Sequence, residues 1–165
     1  MSAIVDHLIV LPIVLPLLSG AVMLLRGGDE HRNLNATVNL LSTLALIGIS
    51  TAPQQAADAA PAGLMGVYRI GNWPAPFAIV LVADRLSALM LLLTSLIAAA
   101  AVVFSIARWH RVGPHFHPLF QFLLMGLNGA FLTGDLFNLF VFFVLLLAAS
   151  YGLALHGSGL TGVSA

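Results

Sequence analysis

Between residues 114 and 157 the chain carries two apolar segments separated only by the short polar break Thr133-Gly134-Asp135. Each approaches the roughly 20 apolar residues that cross a bilayer as one helix, so each can span a membrane. The rest of the chain agrees. Charged residues make up 7% of it and mean hydropathy is +1.04, against about 25% charged residues in soluble domains. A soluble domain of this size must coat itself with charge, and this chain has too little. The sequence therefore predicts an all-α membrane protein of about five transmembrane helices.

The apolar runs place these spans at about residues 4–25, 34–50, 79–107, 118–132 and 136–155. The first carries Pro12 and Pro16, each of which leaves a backbone group that neighbours must satisfy at membrane depth. The second is the least apolar, with Asn35, Asn39, Ser42 and Thr43. Residues 51–77 hold Pro53, Pro61, Pro74 and Pro76 together with Tyr68 and Trp73, and read as an external loop with aromatics at the membrane interface. The whole chain is expected to form a single transmembrane region.

Every one of the six basic residues is arginine. Arg26, Arg32, Arg108 and Arg111 flank the first and third connections, while Arg69 and Arg85 lie in or beside the second. This split predicts that the first and third connections face the cytoplasm, with the amino terminus and the 51–77 connector outside and His156 inside. A cleaved signal peptide is disfavoured, because Asp6 is the only charged residue ahead of a long apolar stretch.

Ionisable and amide groups within spans are the candidates for chemistry, since hydrocarbon penalises them. Asp84 and Arg85 stand at the outer edge of span three, as an interfacial ion pair or as an ion entrance. Asp135 stands in the break before span five, where it can cap the helix and complement its dipole, or handle an ion. Asn128 lies between Gly126 and Ala130, small residues at the spacing of a close helix crossing, where an amide can bond across the contact. His110, His115, His117 and His156 fall at the cytoplasmic edge. His115 and His117 lack a third ligand and read as solvated loop residues rather than a metal site. His7, beside Asp6, reads as interfacial.

Several function classes are excluded or unsupported. Without lysine or a basic cluster there is no electrostatic footprint for nucleic acid. Absence of cysteine excludes disulfides and thiolate metal sites. No phosphate-binding glycine loop or nucleophile elbow occurs, so no enzyme activity and no cofactor is expected. The stripe Phe137, Phe140, Phe142 and Phe143 reads as lipid-facing or packing surface.

The run FQFLLMGLNGAFLTGDLFNLFVFF followed by ASYGL resembles the D subunit of the Mrp-type (Pha, Mnh) multisubunit monovalent cation/proton antiporters, relatives of the antiporter-like subunits of respiratory complex I. The stretches from Leu11 to Pro16, Gly71 to Pro76 and Val82 to Met90 carry the same likeness. It covers essentially the whole chain, but only the amino-terminal third of a family member, so the chain is expected to be a fragment or truncated product. The resemblance implies a bacterial inner-membrane protein working with other antiporter subunits, with Na⁺ or K⁺ and H⁺ as the transported ions. It also implies a membrane-buried glutamate paired with a lysine on a later helix. Where the family pattern reads Phe-Phe-Glu, this chain reads Phe142-Phe143-Val144. The face holding Val144 also carries Phe140, Ala148 and Tyr151, and small Ala148 suggests close packing there. A chain without the carboxylate is expected to be inactive alone. An antiporter-like subunit of an NADH–quinone oxidoreductase or membrane hydrogenase, or an inert membrane stub, are the competing expectations.

Overall fold

The computed structural model describes residues 9–27, 31–59, 64–69, 79–108 and 115–156. Expectations placed on Asp6, His7, Trp73, His110 and Arg111 fall outside these residues. The described elements are α1 (Leu11–Leu25), α2 (Arg32–Ala59), β1 (Leu64–Arg69), β2 (Val80–Asp84), α3 (Arg85–Arg108), α4 (Phe116–Leu132) and α5 (Leu136–His156).

Helix α1 starts with Pro12 in its first turn, where a missing N–H costs nothing. It ends on Gly27, whose φ of 77° is the left-handed conformation that closes a helix and that only glycine adopts without strain. Helix α2 has 28 residues, about 42 Å at 1.5 Å per residue, more than a hydrocarbon core of about 30 Å requires. It continues to Ala59 instead of stopping near Ser50. The loop assigned to residues 51–77 therefore begins with helix and contains strand β1. Helix α3 begins at Arg85, because the preceding residues Val80–Asp84 are extended rather than part of the span expected from residue 79.

Among the described residues, three helices are long and apolar enough to cross a membrane: Arg32–Thr51, Arg85–Ala107 and Leu136–Leu155. The apolar helices Leu11–Leu25 and Phe116–Leu132 are shorter. The molecule is a helical membrane bundle with a two-stranded ribbon added to it.

The ribbon follows from the β-branched alternation of Val80, Val82 and their neighbours. Strands β1 and β2 pair antiparallel, with Tyr68 opposite Leu81 and Arg69 opposite Val80. The break between α4 and α5 docks on the free side of β2. Gly134 donates its N–H to the Val80 carbonyl at 2.9 Å, and Thr133 bridges Leu81. A Cβ on Gly134 would lie 2.5 Å from a Val82 methyl, so the close approach requires glycine. Beneath the ribbon, Ile9, Leu81, Ala83, Leu91 and Leu132 form one apolar cluster, and Tyr68 packs against it. A second cluster, Leu46, Ala98, Val102, Phe120 and Leu124, joins α2, α3 and α4.

Candidate functional site

Helix α4 is central, and its buried face carries polar groups. Asn128, 3% exposed, donates from Nδ2 to the Pro12 carbonyl at 2.8 Å. The reason lies four residues along α1. The Pro12 carbonyl would normally accept the N–H of residue 16, but Pro16 has none. In hydrocarbon an orphaned carbonyl costs several kcal/mol, and the Asn128 amide supplies the missing donor. The expected helix-packing role of Asn128 thus takes a specific form, the repair of a proline gap. Around it the backbones are close. A Cβ on Gly126 would lie 3.1 Å from Leu146 backbone atoms of α5, and one on Gly129 would overlap the Phe142 ring.

Two turns earlier on the same face, Gln121 and His117 meet α2. Gln121 Nε2 donates to Asn39 Oδ1 at 2.7 Å and to the Asn39 carbonyl at 3.3 Å. Asn39 Nδ2 lies 2.9 Å from His117 Nδ1. On the other side, Ser42 Oγ donates to Gln121 Oε1 at 3.4 Å and lies 3.1 Å from Ser19 Oγ of α1. Gln121 and Asn39 are 0% exposed and His117 is 4% exposed. Five side chains on three helices thereby form one hydrogen-bonded chain inside an apolar bundle. This corrects the reading of His117 as a solvated loop residue: it belongs to the first turn of α4, while His115 at the N-cap is the exposed one. No group of three metal-ligating side chains exists among the described residues.

At the ribbon end of the bundle, Asp84 precedes α3 and caps it. Its Oδ1 accepts the Ser87 N–H at 2.7 Å and the Ser87 hydroxyl at 2.5 Å. The Ser87 hydroxyl bond, then the Ser87 N–H bond, hold its carboxyl below the usual value of 3.8, outweighing partial desolvation. Capping of α3 is thus one role that the Asp84 carboxylate fills. The carboxylate lines a cleft of about 500 Å³ together with Ser87, Met90, Phe131, Thr133 and Gly134. Asp135 opens α5 through its backbone: its carbonyl accepts the Leu139 N–H at 3.0 Å and the Thr133 hydroxyl at 3.2 Å. The expected carboxylate cap is not what starts this helix.

Val144 lies near the middle of α5 and is 48% exposed, with Phe140 and Tyr151 of the same face at 65% and 63%. Ala148 is exposed as well. The close packing expected of this face is absent among the described residues. It is Phe142, Leu146 and Ala149 that turn toward α4.

The chain is similar in sequence and in fold to known proteins. No family model matches the chain. A protein described as a probable K(+)/H(+) antiporter D subunit from Rhizobium meliloti (strain 1021) is 59% identical over 156 residues, covering 93% of this chain and 29% of that protein. The chain is homologous to part of an antiporter D subunit. A Na(+)/H(+) antiporter D subunit from Alkalihalophilus pseudofirmus is 38% identical over 92% of this chain and 30% of its own length. A chain of the Mrp complex from Dietzia sp. DQ12-45-1b superposes with a TM-score of 0.79 at 29% identity, over 92% of this chain and 27% of that one. The chain spans about 30% of the length of the curated D-subunit relatives.

Within this D-subunit homologue, the structure brings Asn128 into contact with α1 and leaves Asp84, Asp135 and Val144 apart from it. Sequence reasoning passes over Gln121 and misplaces His117. The signal is present: His117, Gln121 and Asn128, spaced four and seven residues apart, share one helical face, as do Asn35, Asn39 and Ser42 on α2.

Proposed function

We propose that this chain forms part of a membrane subunit of a multisubunit monovalent cation/proton antiporter, assembled with other antiporter subunits in a bacterial inner membrane. The carrying observation is the 59% identity over 93% of the chain to a K(+)/H(+) antiporter D subunit. The fold match to a chain of an Mrp complex adds to it. The exposed apolar face of α5 supports assembly, since Phe140, Val144 and Tyr151 stand open to another helix or to lipid. The arginine distribution supports a cytoplasmic α1–α2 connection and an external ribbon.

On this reading Val144 disables proton exchange at the middle of α5. A valine binds no proton and gives a cation no counter-charge, and from Phe137 to Leu155 the helix has no ionisable group but Tyr151. The chain contains no lysine that could tune a carboxylate placed there. Everted membrane vesicles containing the chain are expected to show no Na⁺- or K⁺-dependent collapse of a pH gradient. Val144→Glu in this chain is expected to stay silent as well, because an unpaired carboxyl in hydrocarbon remains protonated. Collapse of the gradient by the unmodified chain alone would overturn the role given to Val144. Failure to co-purify with co-expressed subunits of a related antiporter complex would remove the assembly reading.

A further inference from the structure

Around the cleft beside the ribbon, the hydroxyl and turn donors are already committed. The Ser87 N–H and hydroxyl both donate to Asp84 Oδ1, at 2.7 and 2.5 Å. The Thr133 hydroxyl donates to the Asp135 carbonyl at 3.2 Å, and the Gly134 N–H donates to the Val80 carbonyl at 2.9 Å. Carboxylates and carbonyls only accept, so the direction of each bond is forced. These groups therefore offer the cleft lone pairs: those left on the Asp84 carboxylate and on the Ser87 and Thr133 hydroxyl oxygens. The Ser87 bonds also favour the ionised form of Asp84.

We propose that this cleft is a binding site for a primary ammonium ion that carries a small aromatic or aliphatic group. An ammonium brings three donors and no acceptor, the complement of a carboxylate and two hydroxyl oxygens whose protons point elsewhere. An anion would face the carboxylate with no donor from these groups to offset it. Size decides against a bare alkali ion. The cleft holds about 500 Å³, within the roughly 300–1,000 Å³ of small-molecule sites and far more than one ion fills. The rest of its wall is apolar, with Val82, Met90 and Phe131 in it. A hydrated ion gains nothing from such a wall, whereas an apolar group leaves water on entering. Phe131 also supplies an aromatic ring, whose face attracts a cation.

Asp84 has two tasks here, capping α3 and presenting charge to the cleft, and one substitution separates them. Asparagine caps a helix as well as aspartate does, so Asp84→Asn keeps the start of α3. Its side-chain oxygen must face the two Ser87 donors, which leaves the amide nitrogen in place of the second carboxylate oxygen. The change removes the charge and puts a donor where the ammonium needs an acceptor. Binding is expected to weaken about tenfold or more. The site is independent of whether the chain takes part in antiport.

Carbon-13 NMR of the methionine methyl groups, with the full chain in lipid nanodiscs, tests the proposal. Met90 lines the cleft, and its signal is assigned by its loss in Met90→Leu. Titration with benzylammonium chloride is expected to move the Met90 signal to saturation. Benzyl alcohol, which has the same ring without the charge, should need about tenfold more or fail to saturate. NaCl and KCl at the same concentrations should leave the signal in place. In Asp84→Asn the benzylammonium midpoint rises about tenfold or more while the other methionine signals keep their positions. A Met90 signal unmoved by benzylammonium, or moved equally by benzyl alcohol, Na⁺ or K⁺, would overturn the site. So would an unchanged midpoint in Asp84→Asn. The comparison among benzylammonium, benzyl alcohol and the salts needs no variant, so it decides the matter even where Asp84→Asn fails to fold.

Discussion

Helices α4 and α5 are joined by three residues, yet they solve opposite problems. Helix α4 carries His117, Gln121, Asn128, Gly126 and Gly129, and most of it is buried. Helix α5 is the more uniformly apolar of the two, and only 11% of Leu136–Leu155 is buried. In water the order would be reversed. Lipid tails are as apolar as leucine, so an apolar surface gains nothing by leaving them. Close backbones, hydrogen bonds and proline repair hold such a bundle together, and α4 is the helix that supplies them. In this molecule the polar helix marks the interior and the apolar helix marks the edge.

The largest blow to that contrast is expected from Gly126→Leu. The obstacle at 3.1 Å is the Leu146 backbone, which cannot rotate away as a side chain would. The crossing must open, at about 3 kcal/mol. Reversible unfolding in detergent or nanodiscs measures it. Stability unchanged by this substitution would show that α5 is held elsewhere.

Asn128→Leu comes next. It leaves the Pro12 carbonyl without a donor, at about 2 kcal/mol. The sharper form of the test is a double-mutant cycle with Pro16→Ala, which returns the N–H that the helix lacks. In that background Asn128→Leu is expected to cost less than half as much. Equal costs in both backgrounds would break the link between the two residues and reduce Asn128 to ordinary packing.

How much of this contrast is legible in the sequence differs between the helices. The apolar lengths of α3 and α5 and the break at Thr133-Gly134-Asp135 fix membrane helices and their turn, because hydrophobic length is a local property. Gly126 beside Asn128 likewise announces a crossing. The Pro16–Asn128 partnership is not local: 112 residues separate the two (128 − 16), and only the packed bundle brings the amide to the gap. His117 reads as a loop residue because His115, Pro114 and Pro118 surround it. Proline in the first turn of a helix starts that helix rather than breaking it. The ribbon is hidden for a related reason. Val80 and Val82 are as apolar as the span that follows, and the cap at Asp84 is what divides strand from helix. At the candidate site, residue types are legible, but their partners are not.

Asp84 gives a smaller effect at the opposite end of the bundle. Its carboxyl is held below 3.8 in the folded protein. The cap's contribution is therefore fully present above that value and is lost as pH falls through the lowered folded-state pKa. Asp84→Ala is expected to cost about 1 kcal/mol at neutral pH and to remove that part of the acid-side loss. Stability measured from neutral pH down to roughly pH 3 should show the difference between the two proteins shrinking as the carboxylate protonates. A constant difference would mean that the charge on Asp84 does not matter to the cap.

Val144→Ala should do least, and that is its value. The side chain sits on the open face of α5 beside Phe140 and Tyr151, all about half exposed or more, so truncating it creates no cavity. In lipid or detergent the acyl chains fill the space. The expected change is about 0.5 kcal/mol or less, against several-fold more for a buried leucine such as Leu124 of α4, where truncation leaves a hole. Repeating Val144→Ala after co-expression with the subunits of a related antiporter complex then tests the proposed assembly at this face. If the cost stays near zero in the assembly, α5 faces lipid there too and the face contributes nothing to assembly. If it rises to that of a core residue, a neighbouring helix has covered Val144, and the position that cannot carry a proton has become a packing position.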